Sequence, residues 1–254
     1  MKTDIAIIIP TYRRNDLITM LIADLSREQG EFDLLVVDNG GDFCDSSFPI
    51  EVTSPGENIG WARGCNLGIE LCFSRGYKQV MLLNNDVHLS RNFVTGMIEA
   101  AHSSSAGILG PVYDHNWPQQ NIGYRGTADE YNPRPMEHEV PFIDGTCMLI
   151  SRATIESIGL LDVHTWPHFG WGCDKDYCLR ARLCGESVHV TERSYLNHFA
   201  RQTAADQPDF SELAAEDEND SGMRAKWGER WEDILYLGFP KVRRKGTVQI
   251  ELGR

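Results

Sequence analysis

Three apolar runs of strand length, at residues 5–9, 34–37 and 80–83, each stop at a cluster of polar residues, with helix-period segments between them. This alternation is the pattern of a parallel sheet with crossover helices: a strand covered on both faces reads as a continuous hydrophobic run, and the covering helix repeats about every 3.6 residues. Asn15 is placed to cap a first helix whose Leu17, Leu21, Ile22 and Leu25 share a face. A second, over about 61–73, puts Trp61, Cys65, Ile69 and Cys72 together. Residues 50–53 read as a short strand, 93–101 as a helix and 106–109 as a strand. In open parallel sheets ligands bind at the carboxyl ends of the strands, so the residues that follow each run matter most. Here they are Pro10-Thr11-Tyr12-Arg13-Arg14, Asp38-Asn39-Gly40-Gly41 and Asn84-Asn85-Asp86.

The rest of the chain is less regular. Residues 111–140 lose periodicity and are rich in Pro, Asn, Gly and charge, which marks a functional or mobile loop. Order resumes over 142–151, followed by a helix from Ala153, an aromatic and glycine-rich passage at 166–172, and a helix from Asp174 to about Cys184. A chain of 254 residues with 41% hydrophobic content has enough apolar surface for one substantial core. The expected division is one α/β domain over 1–205, with halves at about 1–110 and 111–205, and a C-terminal extension over 206–254.

Composition removes several classes of function. A formal charge of −13 argues against a nucleic acid partner, which needs clustered Lys and Arg. From 206 to 220 there are seven acids and no base, read as a solvated, mobile stretch; Lys241, Arg243, Arg244 and Lys245 read as a solvated basic tail, with a membrane surface or acidic acceptor as the alternative. No apolar run approaches the roughly 20 residues of a bilayer span, and no signal-peptide pattern opens the chain, so a cytoplasmic location is expected. Seven cysteines, an odd number without a CxxC pair, read as reduced thiols, and the spacing of Cys173, Cys178 and Cys184 does not suit zinc. The turn after the first strand lacks GxGxxG, and no GxxxxGK[ST] loop is present. Any bound phosphates must then be neutralised another way. A divalent cation is the obvious means, with Asp86 its natural anchor.

Ile8-Ile9-Pro10-Thr11-Tyr12, Val36-Val37-Asp38-Asn39, Glu57-Asn58-Ile59-Gly60 through Gly64-Cys65-Asn66, and Leu82-Leu83-Asn84-Asn85-Asp86 resemble, in order and spacing, the landmarks of glycosyltransferase family 2, especially its rhamnosyltransferase-like members. Asp144-Gly145-Thr146 through Arg152, and Trp171-Gly172-Cys173-Asp174-Lys175-Asp176 followed by Leu179-Arg180-Ala181-Arg182, resemble the family's acceptor-side segment. The likeness spans roughly residues 3 to 200.

This resemblance implies a GT-A fold, a Rossmann-like α/β architecture with a mostly parallel central sheet flanked by helices. It also implies inverting transfer of a sugar from a nucleotide-sugar, UDP- or dTDP-linked by preference, to the hydroxyl of a glycan, lipid-linked or protein acceptor. Carried over position by position, it assigns Thr11 and Asp38 to the nucleoside and places Arg63 and Asn66 near the nucleotide or its phosphates. Pro10, Tyr12, Arg13, Asn58, Gly60, Asn84 and Asn85 complete the nucleotide-sugar side; Gly145, Trp171 and Gly172 fall on the acceptor side. Asp86, last in a DXD-like motif, and His198 would hold Mn2+ or Mg2+, and Asp174 would be the catalytic base. Asn84 stands where many members carry Asp, and Cys173 where a Glu commonly precedes the base.

Plainer readings exist for the same residues. Asp38 would also cap a turn, Asp174 a helix, and Asn58 and Asn66 a helix entry; Asp86 would be a loop carboxylate and His198 a satisfied histidine. Trp166, Phe169 and Trp171 suit a core or a sugar-stacking wall equally, and Asp176 suits a helix N-terminus. Two other functions compete: a catalytically weak or inactive module that binds nucleotide-sugar or glycan, and a nucleotidyltransferase. The second lacks the glycine-rich loop it would need after the first strand. A homo-oligomer is left open.

Overall fold

The computed structural model describes residues 3–44, 48–114, 119–199 and 210–240. Its strands are β1 (Ile5–Thr11), β2 (Asp33–Asp38), β3 (Ile50–Thr53), β4 (Gln79–Leu83), β5 (Val87–Leu89), β6 (Ala106–Tyr113), β7 (Glu137–Glu139), β8 (Cys147–Ser151) and β9 (Ser187–His198). The helices are α1 (Asn15–Leu25), α2 (Trp61–Ser74), α3 (Phe93–Ser103), α4 (Arg152–Ile158), α5 (Cys173–Leu183), α6 (Glu212–Trp227) and α7 (Trp231–Leu235). The strands form one sheet in the order β3-β2-β1-β4-β8-β6-β9-β5, with β7 paired to β9.

The expected parallel arrangement holds across β3-β2-β1-β4. Beyond β4 the sheet is mixed: β8 runs antiparallel to both β4 and β6, β9 is parallel to β6, and β5 and β7 are antiparallel to β9. Successive residues of β1 serve opposite faces, as the pleat requires. Ala6 and Ile8 enter a core with Cys65 and Ile69 of α2 and Tyr177 of α5, while Ile7 and Ile9 meet Leu21 of α1 and Phe93 and Met97 of α3.

Two local expectations are corrected, and one long strand is added. Asn15 lies in the first turn of α1 rather than capping it, and its amide donates to the Asp42 carbonyl at 2.9 Å. The strand at 106–109 continues to Tyr113 through Pro111, which is accommodated by a register shift against β9. The 12-residue β9 is not anticipated by the apolar pattern, because its sequence SVHVTERSYLNH is largely polar and its burial comes from neighbours remote in sequence.

The mixed topology places the functional edge. Cys147, the start of antiparallel β8, pairs with Leu83 at the end of β4. Parallel β9 ends on the same side, and its His198 pairs with Val87. Residues 11–13, 38–41, 84–86, 144–146 and 198 therefore share one rim of the sheet.

Of the acidic stretch 206–220, read as mobile, residues 206–209 lie outside the described residues and 212–220 instead lie in α6. Ser211 caps this helix, accepting from Ala214 N, and Met223, Trp231 and Leu235 enter the same core as α2 and α5. At Gly222 the helix backbone lies against the Trp166 indole, where an added Cβ would come within 2.3 Å of Nε1. The basic cluster at 241–245 lies outside the described residues.

Asp176, expected to serve the α5 N-terminus, is fully buried. It accepts from Arg180 Nε at 2.9 Å and from Trp227 Nε1 at 3.0 Å, and lies 2.9 Å from Lys226 Nζ. Because Lys226 and Trp227 belong to α6, this carboxylate ties the C-terminal helix to α5. Asp176→Ala would leave cations partly buried beside an empty site; we expect a loss of about 3 kcal/mol in urea unfolding.

Candidate active site

At the ends of β1 and β2, Thr11 and Asp38 are both buried. Thr11 Oγ1 accepts from Asn85 Nδ2 at 3.0 Å, joining the first strand to the 84–86 turn. Asp38 Oδ1 accepts from Gly40 N at 3.0 Å and Gly41 N at 2.9 Å, and Oδ2 accepts from Phe43 N at 3.0 Å. This carboxylate therefore shapes the loop after β2, whatever else it meets. Tyr12 follows, with the Arg13 guanidinium 4.9 Å from its ring centroid, and Arg13 has a positive φ of 55°.

Three other residues carried over to the nucleotide side have firm local partners. Asn58 accepts from Gly60 N at 3.0 Å, shaping the turn into α2. Asn66 donates to the Leu161 carbonyl at 2.9 Å and accepts from Leu161 N at 3.0 Å, while Arg63 donates to the Val163 carbonyl at 3.2 Å. Asn66 is thus a brace between α2 and the segment after α4.

The rim's centre is acidic. Asp86 is buried, and its Oδ1 lies 3.2 Å from His198 Nε2. His198 Nδ1 faces Thr146 Oγ1 at 3.4 Å; that hydroxyl also donates to Asp144, and Asp114 accepts the His198 backbone N–H at 3.0 Å. Burial opposes a charge on the ring, but the hydrogen bond and charge of Asp86, with the charges of Asp144 and Asp114, outweigh it, so His198 titrates above the usual histidine value. If Nδ1 carries the proton of the neutral ring, the Nε2 lone pair and the Asp86 carboxylate face each other. That juxtaposition suits either an imidazolium or a cation.

Asp174 stands in the first turn of α5, after Gly172. It accepts from Gly145 N at 3.1 Å and from Lys175 N at 2.8 Å. Burial, then the charge of Asp144, push its carboxyl up to about 6, against the opposing pull of Lys175 and these two amides. Asp144 acts electrostatically on both Asp174 and His198, so Asp174 and the Asp86–His198 pair occupy one site. Trp61 connects the two sides. Its Nε1 donates to Asn84 Oδ1 at 2.8 Å, and its ring leaves no room for a side chain at Gly145, where a Cβ would lie 2.9 Å away.

The passage before Asp174 is held from outside. Glu218 of α6 accepts from His168 N and Phe169 N, both at 2.8 Å, and from Gly170 N at 3.2 Å. Trp166 is core, at 2% exposure, whereas Phe169 and Trp171 are only partly buried. Sequence reasoning did not single out Trp61, Asp114, Asp144 or Glu218 as site residues. Trp61 read only as part of a helix face, Asp144 as part of a motif, and Glu218 as one acid among many. No local signal marks Asp114.

The family model for Glycosyl transferase family 2 matches residues 6–159, more than half of the chain. The chain belongs to glycosyl transferase family 2. It is therefore a glycosyltransferase. An uncharacterized protein of Mycobacterium tuberculosis is 38% identical over 198 residues, covering 78% of this chain and 75% of that one. The dTDP-rhamnosyl transferase RfbF of Shigella flexneri is 26% identical over 207 residues, 75% of this chain and 67% of the relative. Among solved structures, GalNAc-T7 with UDP, GalNAc and Mn2+ superposes with a TM-score of 0.58 at 10% identity; the match covers 76% of this chain and 43% of that one, and shows a shared fold. Asp174 and His198 of this family 2 glycosyltransferase lie beyond the residues its family model matches.

The backbone contacts of Asp38 generate a test. If it shapes the loop as well as any ligand, Asp38→Asn should destabilise the ligand-free transferase by about 1–2 kcal/mol in thermal unfolding, because an amide N–H2 would face a backbone N–H. A pure ligand contact would leave that stability unchanged.

Proposed function

We propose that this glycosyltransferase moves a hexose or deoxyhexose from a UDP- or dTDP-sugar to an acceptor hydroxyl in a single inverting displacement, with Asp174 as base. The observation that carries this reading is one rim holding two different acids. Asp86 is paired with an imidazole at 3.2 Å, and Asp174 is raised to about 6 by burial and Asp144. Two carboxylates in unlike environments take unlike roles. The dTDP-rhamnosyl transferase likeness supports the donor class, and the Mn2+ and UDP in the GalNAc-T7 structure support a metal-assisted route.

Asp86 and His198 supply one oxygen and one nitrogen donor, a fitting partial set for Mn2+ or Mg2+, and no larger cluster of candidate ligands is found among the described residues. Once bound there, a divalent cation would act as a Lewis acid on the departing diphosphate. The chain's own residues do the rest. Thr11 and the Asp38 loop form the nucleoside side, and Asn84, fixed by Trp61, lies between that side and the base. Asp174 takes the proton of the attacking hydroxyl, and the amides of Gly145 and Lys175 hold the carboxylate in place for it. Displacement from the face opposite the leaving group inverts the anomeric carbon without a covalent sugar–enzyme intermediate. Among the described residues no helix is long and apolar enough to cross a membrane.

Two measurements test this reading. With Mg2+ or Mn2+ and a panel of UDP-, dTDP- and GDP-sugars, the protein should release a nucleoside diphosphate, and Asp174→Asn should cut transfer by at least about a hundredfold while nucleotide binding persists. Failure to turn over any donor, alone or with acceptors, would leave at most a binding module.

The second is the pH profile. A base must be ionised, so kcat/KM should fall as pH drops through about 6. Asp144→Asn removes a negative charge that raises the Asp174 value and should move this limb to lower pH. A limb unmoved by that change would remove Asp174 from the role.

A further inference from the structure

We infer that Gln120, which stands in the irregular segment after β6, is a positioning residue for the transfer reaction: its side-chain amide fixes the turn Asp144-Gly145-Thr146, and through it the spacing of Asp174, Asn84 and His198. This role rests on the reading of Asp174 as base and deepens it, because Gln120 belongs to none of the motifs that point to the site.

Gln120 is 1% exposed although it lies outside any helix or strand. A buried amide there needs an acceptor for its N–H2 and a donor for its oxygen. It finds both on the backbone. Nε2 donates to the Pro111 carbonyl at 3.0 Å, and Oε1 accepts from Asp144 N at 2.7 Å. The two partners have opposite polarity, so they fix which way round the amide sits. Gly110 of β6 leaves it room, since a Cβ there would lie 3.2 Å from Nε2. The segment is anchored on either side: Gln120 O accepts from Tyr113 N at 3.0 Å, and Gln119 Nε2 donates to the Tyr236 hydroxyl at 3.1 Å.

What Gln120 holds is the turn on which three parts of the rim meet. Gly145 N donates to Asp174 at 3.1 Å, Thr146 O accepts from Asn84 N at 2.9 Å, and Thr146 Oγ1 lies 3.4 Å from His198 Nδ1. Asp144 Oδ1 closes the turn on itself by accepting from Thr146 N at 2.9 Å, so its backbone N–H is the point at which a side chain from outside restrains it. Without Gln120 that N–H loses its acceptor, and repulsion between the Asp144 and Asp174 carboxylates pushes the turn away from α5. Asp174 also faces Lys175, Cys173 and Cys178 on its own helix; burial raises both thiols, which leaves Asp144 as the negative group whose distance matters. Removing Gln120 therefore lowers the proton affinity of Asp174, as removing the Asp144 charge does.

Two variants of the full chain test this. Gln120→Met has a similar length and no amide. Gln120→Asn is one methylene too short to span both backbone groups, and it keeps a polar group in the buried site, so it carries the test if thermal unfolding shows that the Met variant does not fold. Carbon-13 NMR of a chain labelled at its aspartate carboxyls follows Asp174, whose signal is the one missing from Asp174→Asn. In either folded variant its titration should move to lower pH by at least about 0.3 pH unit, a twofold change in proton affinity. With Mg2+ and a UDP- or dTDP-sugar that the parent turns over, the acidic limb of kcat/KM should move the same way. In an Asp144→Asn background the Gln120 variants should add nothing further.

A Gln120 that only stabilises the fold would lower the thermal midpoint and leave both pH readouts where the parent has them. That result, or displacements that add in full to those of Asp144→Asn, overturns the role. The NMR titration needs no turnover and so separates the two claims. An Asp174 titration that depends on Gln120 in a chain that transfers no sugar removes the mechanism and leaves the hold on the turn standing; transfer with a titration indifferent to Gln120 does the reverse.

Discussion

Negative charge gathered at one sheet rim is the constraint around which the rest is arranged. Asp86, Asp114, Asp144 and Asp174 all act there, and the basic groups nearest to hand are the His198 imidazole and the Lys175 side chain. Like charges in a partly desolvated site raise one another's proton affinity, so the fold must either hold them in place or lose them to water. It holds them with backbone N–H groups: Asp174 on Gly145 and Lys175, Asp144 on Thr146, and Asp114 on His198. Amides from different strand ends thereby fix the spacing of the acids. Strand topology is thus an electrostatic device, since the rim would lose the Asp144 turn if β8 ran parallel to β4.

The same logic explains which parts were legible in the sequence. β1, β2 and β4 were legible because a strand buried on both faces must be apolar throughout, and α2 because its buried face repeats at helical spacing. The polar ends of those strands followed at once, so the residues that share the rim could be named from sequence. β9 was not legible: Thr191, Glu192 and Ser194 are buried in it and stabilised by partners such as Met136 and Phe93, far away in the chain. The likeness to the family singled out His198, and topology then showed why it meets Asp86.

Composition misled most over the C-terminal segment. Acids without bases suggest self-repulsion and solvation, yet hydrogen-bond donors for two of these acids are supplied from elsewhere. Backbone N–H groups at 168–170 meet Glu218, and Trp231 Nε1 meets Asp220 at 3.2 Å. A backbone amide carries no formal charge, so no count of Lys and Arg detects it. Asn66 is the opposite case: a residue expected near a ligand whose amide is matched to a single backbone position, Leu161.

The two departures from the family pattern have physical readings in this environment. Cys173 is 1% exposed, packed in the core with Cys65, and burial raises its thiol well above the usual cysteine value. A carboxylate at that position would be buried among apolar groups, so the cysteine takes no acid away from the rim. Asn84 is different, because it does sit on the rim. Its oxygen accepts from Trp61 Nε1 as an aspartate oxygen would, but it adds no further negative charge beside Asp86. Where four carboxylates already compete, a neutral acceptor keeps the geometry of the motif and spares the site another repulsion, at the cost of one charge toward any bound cation. A divalent cation held by Asp86 and His198 would then meet few protein charges, so under the proposed reading its retention would depend on the charge of the donor.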